Sequence, residues 1–234
     1  MYTGALYNSF VTFIAGIVSL IVFFQLGRLR KKREIRYSRG VDYFLLLYGL
    51  LWIFVGIRVF FDWLGLLDLD MFIWDWFTGP MTYIHIVPGF FYFAWSLFKR
   101  KGARYLFIGS LIFGTILCLY TFFRYGSIPG ELTYWGTKPV ANELTQKVFI
   151  LSVFLPILLA ILTDFFRRLK RWLKTKNIVE KQIFGFNAAF LIYASIAIFD
   201  ALALAPGWKL LLVRIGVMIS ALIFYLSANI ETED

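Results

Sequence analysis

Of the ionisable side chains within or at the edges of long apolar runs, six are the candidates for function: Arg58, Asp62, His85, Arg124, Asp200 and Arg214. A charge in such surroundings is costly and by default marks a function. The chemistry these residue types offer is recognition by ion pairing and hydrogen bonding. Arg58 and Asp62 are four residues apart, so on a helix they share a face and are placed to pair. Asp200 and Arg214 flank the short connection Ala205-Pro206-Gly207, which keeps the ends of their segments adjacent and favours a second pair. With Trp52, Trp63, Tyr83 and Tyr120, these six residues would make a charged, aromatic-walled pocket for a small or lipid-like ligand. The plainer alternative is that the arginines snorkel to headgroups, the aspartates mark an interface and His85 is a hydrogen-bonded structural residue.

The residues that are missing narrow the chemistry further. The chain has one His and one Cys, Cys118, so an intramolecular disulfide, a bis-histidine haem or a zinc site built on several such ligands is excluded. No H-E-x-x-H, phosphate loop or G-x-S-x-G occurs, and no enzymatic activity or cofactor is expected. A retinal Schiff base needs a lysine inside the last apolar run, where Lys209 sits only at the boundary and Arg214 lies further in. The signatures of eukaryotic seven-helix receptors are also absent: LFKRKGARY follows the third run, and the last run ends in LIFYLSANIE.

The elements that must position these residues are plain from composition. Hydrophobic residues make up 60% of the 234-residue chain and charged residues 16%, with a mean hydropathy of +0.74. Crossing ~30 Å of hydrocarbon takes ~20 residues in a helix. Seven apolar runs qualify, at about 2–26, 41–61, 82–98, 105–123, 148–166, 183–204 and 208–228. Every backbone polar group in lipid must be satisfied internally, and the alternation of a barrel is absent, so the runs read as helices. The expected fold is an all-α, polytopic membrane protein: one seven-transmembrane-helix bundle spanning residues 1–234. The composition excludes a soluble globular enzyme and a nucleic-acid-binding domain despite a net charge of +10. The first run lacks a positive segment ahead of it and reads as a retained span, not a cleaved signal.

Eighteen of the 24 Lys and Arg fall between runs one and two, three and four, and five and six. The opposite loops carry Asp62, Asp68, Asp70, Asp75, Glu131 and Glu143. By the positive-inside rule the N-terminus is outside and the C-terminus cytoplasmic, in a cell (plasma) membrane. Residues 62–80 suit an amphipathic helix at the outer interface with Trp63, Trp74 and Trp76 at headgroup level, and residues 124–147 suit a turn-rich hairpin over the bundle mouth. Residues 167–182 read as a basic, amphipathic continuation of the fifth span, placed to touch anionic lipid or a cytoplasmic partner. Pro88 and Pro156 should kink their helices, and Gly16, Ser19, Gly109 and Gly114 should mark close helix packing.

The expected function is a receptor or sensor that binds its ligand in the outer half and signals to a cytoplasmic effector. A faint repeat, IRVFFDWLGLL around Asp62 against IAIFDALALA around Asp200, favours an alternative: a small transporter or channel with a three-plus-one-plus-three duplication. A structural subunit among other membrane subunits is the third reading. The expected partners are the lipid bilayer, the ligand and the effector, with no nucleic acid.

Overall fold

The computed structural model of the protein describes residues 3–33, 39–130, 133–201 and 207–230. In chain order the long elements are α1 (Thr3–Arg33), α2 (Arg39–Trp63), α6 (Lys101–Tyr125), α8 (Leu155–Thr175), α9 (Ile178–Ala201) and α10 (Lys209–Ala228). Shorter ones lie between them: α3 (Leu67–Ile73), α4 (Gly79–Ile84), α5 (Val87–Leu97), the strands β1 (Ser127–Ile128) and β2 (Val140–Ala141), and α7 (Glu143–Phe149). A π-helical turn at Trp74–Thr78 joins α3 to α4, and another at Ile150–Phe154 joins α7 to α8. Ala205, Pro206, the end of the sixth apolar run at 204 and the acidic tail from residue 231 lie outside the described residues.

The chain is an all-α integral membrane bundle. Six helices are long and apolar enough to cross a membrane: α1, α2, α6, α9, α10 and the continuous helix Glu143–Thr175. The exception is the third apolar run, expected as one span over 82–98. It folds as two short helices, α4 and α5, broken at His85-Ile86. Pro88 sits in the first turn of α5, where its missing N–H costs nothing; further inside a helix its ring would clash with a preceding carbonyl. Pro156 is accommodated differently. It stands in the first turn of α8, directly after the π turn Ile150–Phe154, so the helix widens there instead of breaking.

α1 lies along α2 and α10, α9 packs between α8 and α10, and α5 fills the space between α2, α6 and α8. The α1–α2 contact is backbone on backbone. A Cβ on Gly16 would stand 2.9 Å from the Gly49 carbonyl oxygen, and one on Gly49 would stand 3.1 Å from that of Gly16. Without a hydrophobic force between helices in lipid, such close approach is what supplies dispersion energy. Gly114 meets Ser152 in the same way, whereas Gly109 faces open space with nothing within 4 Å and is no packing position. Gly16→Val is therefore expected to destabilise the bundle by roughly 1–3 kcal/mol in a detergent thermal-unfolding assay, because neither backbone can give way. Gly109→Val should leave the melting temperature unchanged.

Candidate functional site

At the end of the bundle where α2 finishes and α10 begins, a cavity of about 320 Å³ is enclosed by α2, α4, α7, α9, α10 and the chain between β1 and β2. That chain forms a roof. β1 and β2 pair antiparallel, with Ser127 opposite Ala141 and Ile128 opposite Val140, and Thr133 to Gly136 make a tight turn between them. Asn8 Nδ2 of α1 donates to the Trp135 carbonyl at 3.1 Å, and Ser127 Oγ donates to Asp75 Oδ1 at 2.8 Å, so the roof is tied down on two sides. Asn142 caps α7 by accepting the Thr145 N–H at 2.8 Å.

Arg58 does not pair with Asp62. Its Nε donates to Asp70 Oδ1 at 2.6 Å and one terminal nitrogen to Asp70 Oδ2 at 3.3 Å, a two-point contact between almost fully buried side chains. The same nitrogen donates to the Thr137 carbonyl at 2.9 Å, and Thr137 Oγ1 donates to Asp70 Oδ2 at 2.6 Å. Helical spacing does put Arg58 and Asp62 on one face. However, α3 folds back and offers a carboxylate with the fork geometry that guanidinium prefers. Asp62 instead accepts the backbone N–H of Thr137. Gly136 makes that possible: its φ of +105° favours glycine, and a Cβ there would lie 2.8 Å from Asp62 Oδ2.

Across the cavity, Arg214 donates to Asp200 Oδ1 at 3.2 Å and lies 4.5 Å from the centre of the Trp52 ring. Lys138 of the roof also reaches Asp200, with Nζ 3.4 Å from Oδ1 and a hydrogen bond to the Asp200 carbonyl. Burial pushes the Lys138 ammonium below the ordinary lysine range, against the pull of Asp200. His85, at the break between α4 and α5, donates from Nδ1 to the Met81 carbonyl at 2.8 Å, so Nε2 accepts from the Tyr193 hydroxyl of α9. Arg58, His85, Asp200 and Arg214 all line the cavity, as do Trp52 and Tyr83. Arg124 does not: it is exposed over the Tyr125 ring, and Tyr120 is exposed too. Of the tryptophans in 62–80, Trp76 is exposed, but Trp74 turns inward against Phe122 and under Arg58.

A second polar cluster occupies the basic end. Asp164 of α8 is fully buried and accepts from Asn187 Nδ2 at 3.0 Å, from Arg168 Nε at 3.3 Å, and from Ser96 and Arg167. Arg168 continues to Glu180 at 2.9 Å, and the Tyr92 hydroxyl donates to Asn187 Oδ1 at 3.0 Å. Two of the basic residues expected to face lipid or a partner, Arg167 and Arg168, are thus turned into the bundle. Between the two clusters stands a buried aromatic layer. The rings of Phe44, Phe190 and Phe224 lie 4.8, 4.9 and 5.9 Å apart pairwise. Phe44 touches Tyr193 on one side at 5.1 Å, and Phe190 stacks on Tyr92 on the other at 5.5 Å.

Sequence reasoning missed Asp70, Thr137, Lys138 and Tyr193 at the roofed end and the whole Asp164 cluster at the other. Only the cluster had a signal: an acid inside the fifth apolar run with Arg167 and Arg168 three and four residues on. Among the described residues no group of His, Cys, Asp and Glu is placed to hold a metal ion. No family model, curated protein or solved structure matches the chain.

The two pairs differ in burial and should differ in cost. Asp70→Asn strands Arg58 and is expected to lose ~3–5 kcal/mol of unfolding stability, as breaking a buried pair does. Asp200 is partly exposed and shared by two cations, so Asp200→Asn should lose less. Combining Asp200→Asn with Arg214→Gln should cost less than the sum of the single changes, measured as a double-mutant cycle in detergent.

Proposed function

We propose that the chain is a seven-crossing membrane receptor or sensor that binds a small or lipid-like ligand in the roofed cavity and passes a helix shift to a cytoplasmic effector. On this reading α4 and α5 together make the third crossing. Gly79 to Leu97 covers roughly 28 Å at ~1.5 Å per residue, close to the thickness of the hydrocarbon. The roofed end faces outside and the basic end the cytoplasm, in the plasma membrane, with the N-terminus out and the C-terminus in.

One observation carries the reading. A ligand-sized cavity and a buried ionic cluster are separated by the Phe44–Phe190–Phe224 layer, yet one helix serves both. α9 presents Tyr193 and Asp200 to the cavity and Asn187 to the cluster. The broken α4–α5 segment does the same with His85 on one side and Tyr92 and Ser96 on the other. A packed layer of rings does not conduct ions or solutes, which counts against the transporter alternative. It does transmit displacement, because close-packed side chains have little room to absorb it.

Accessibility from the two sides of sealed, oriented vesicles tests both topology and mode of action. In a Cys118→Ser background, Ala197→Cys in the cavity wall should react with a membrane-impermeant thiol reagent only from outside. Lys99→Cys, at the turn between α5 and α6, should react only from the cytoplasmic side. Labelling of Ala197→Cys from the cytoplasmic side would overturn the receptor reading in favour of alternating access.

A further inference from the structure

The cavity wall leaves hydrogen-bond donors unpaired and sets two cations, Lys138 and Arg214, against one carboxylate. Arg58, Lys138 and Arg214 line it, and among the described residues Asp200 is the one carboxylate in the lining; Asp62 and Asp70 are bonded to Thr137 beside it. Several polar atoms at this wall are buried with no hydrogen-bond partner, among them Trp74 Nε1, Thr78 Oγ1 and Arg214 Nε. All three donate, and Thr78 and Arg214 are more than nine-tenths buried. An unpaired buried donor costs on the order of 1–3 kcal/mol, so such a set in one cavity points to an acceptor that belongs there. The rest of the wall is apolar, from Leu51 and Val55 to Ile196 and Leu210. At about 320 Å³ the volume is at the small end of ligand pockets, enough for one chain and too small for a two-tailed phospholipid.

We infer that the roofed cavity takes a single-chain amphiphile with an anionic, oxygen-rich head, whose oxygens accept from Trp74, Thr78 and Arg214 while its tail lies against the apolar wall. This rests on the receptor reading above and adds to it the class of ligand. Lys138 and Arg214 share one carboxylate, so an anion between them completes their neutralisation. A cationic head would meet Lys138 and Arg214, which have one carboxylate between them, and a neutral alcohol would leave them as they are.

The test uses the full chain in zwitterionic nanodiscs, titrated calorimetrically with dodecanoate, dodecyl phosphate, dodecanol and dodecyltrimethylammonium, with empty discs subtracted. Dodecanoate and dodecyl phosphate are expected to bind saturably at one site and the cation not at all; the tighter of the two anions distinguishes a carboxylate from a phosphate ligand. Trp74→Phe keeps an aromatic ring for Arg58 and removes the N–H, and Thr78→Val exchanges the hydroxyl for a methyl group. Each should weaken the anions roughly tenfold, the worth of a hydrogen bond to a charged group, with dodecanol affinity unchanged and the melting temperature of the empty protein not lowered. Dodecanol or the cation binding as tightly as the anions, equal losses for anion and alcohol, or no saturable anion binding would each overturn the inference. The receptor reading falls separately, by cytoplasmic labelling of Ala197→Cys.

Discussion

A charge buried in an apolar bundle must find its counter-charge or unfold its surroundings, and the architecture follows from meeting that demand at both ends. Arg58 cannot leave the interior of α2, so the chain after α2 turns back through α3 to deliver Asp70 to it. The roof is held by the same network: the Thr137 carbonyl accepts from Arg58, its hydroxyl donates to Asp70 and its N–H to Asp62. The β1–β2 pair is only two residues long in each strand and would not persist alone. Its place over the bundle is set by these hydrogen bonds and by Asn8, so the ionic scaffold also shapes the cavity beneath it.

The basic end obeys the same rule with different residues. Asp164 is surrounded by Ser96, Asn187, Arg167 and Arg168, which come from α5, α8 and α9. Neither cluster can spread toward the other, because Phe44, Phe190 and Phe224 fill the space between them. The consequence is mechanical. On the proposed receptor reading, a ligand that moves Tyr193 or Asp200 acts on the helix that also carries Asn187. A displacement that loosens Asn187 from Asp164 leaves a buried carboxylate short of a donor. Coupling free energies between sites are typically ~1–3 kcal/mol, which the loss of one hydrogen bond to a charged group can supply.

Much of this was legible in the sequence. Apolar run length was enough to place α1, α2, α6, α8, α9 and α10, because lipid leaves a helix no alternative. The turn residues Pro129, Gly130, Gly136 and Pro139 marked the hairpin for a similar local reason. Proximity in sequence brought Asp200 and Arg214 together, since little chain separates α9 from α10. Other features depended on distant chain. Nothing in the spacing of Arg58 and Asp62 reveals that Asp70 will compete with better geometry, or that Thr137 will occupy Asp62. Lys138 reads as an ordinary loop cation until the roof folds over Asp200. Pro88 announced a distortion at the third run, but whether a helix kinks or breaks there depends on packing against distant chain, which the run itself does not show.

The aromatic layer between the two polar clusters is expected to exclude water. X-ray radiolytic footprinting of the protein in nanodiscs reads this directly, since hydroxyl radicals born from bound water modify the side chains that water touches. Oxidation is expected at the cavity residues Trp135 and Tyr193 and not at Phe44, Phe190 or Phe224. Oxidation of Phe190 and Phe224 at rates matching Tyr193 would mean that water runs through the bundle, and the separation of the two clusters would be contradicted.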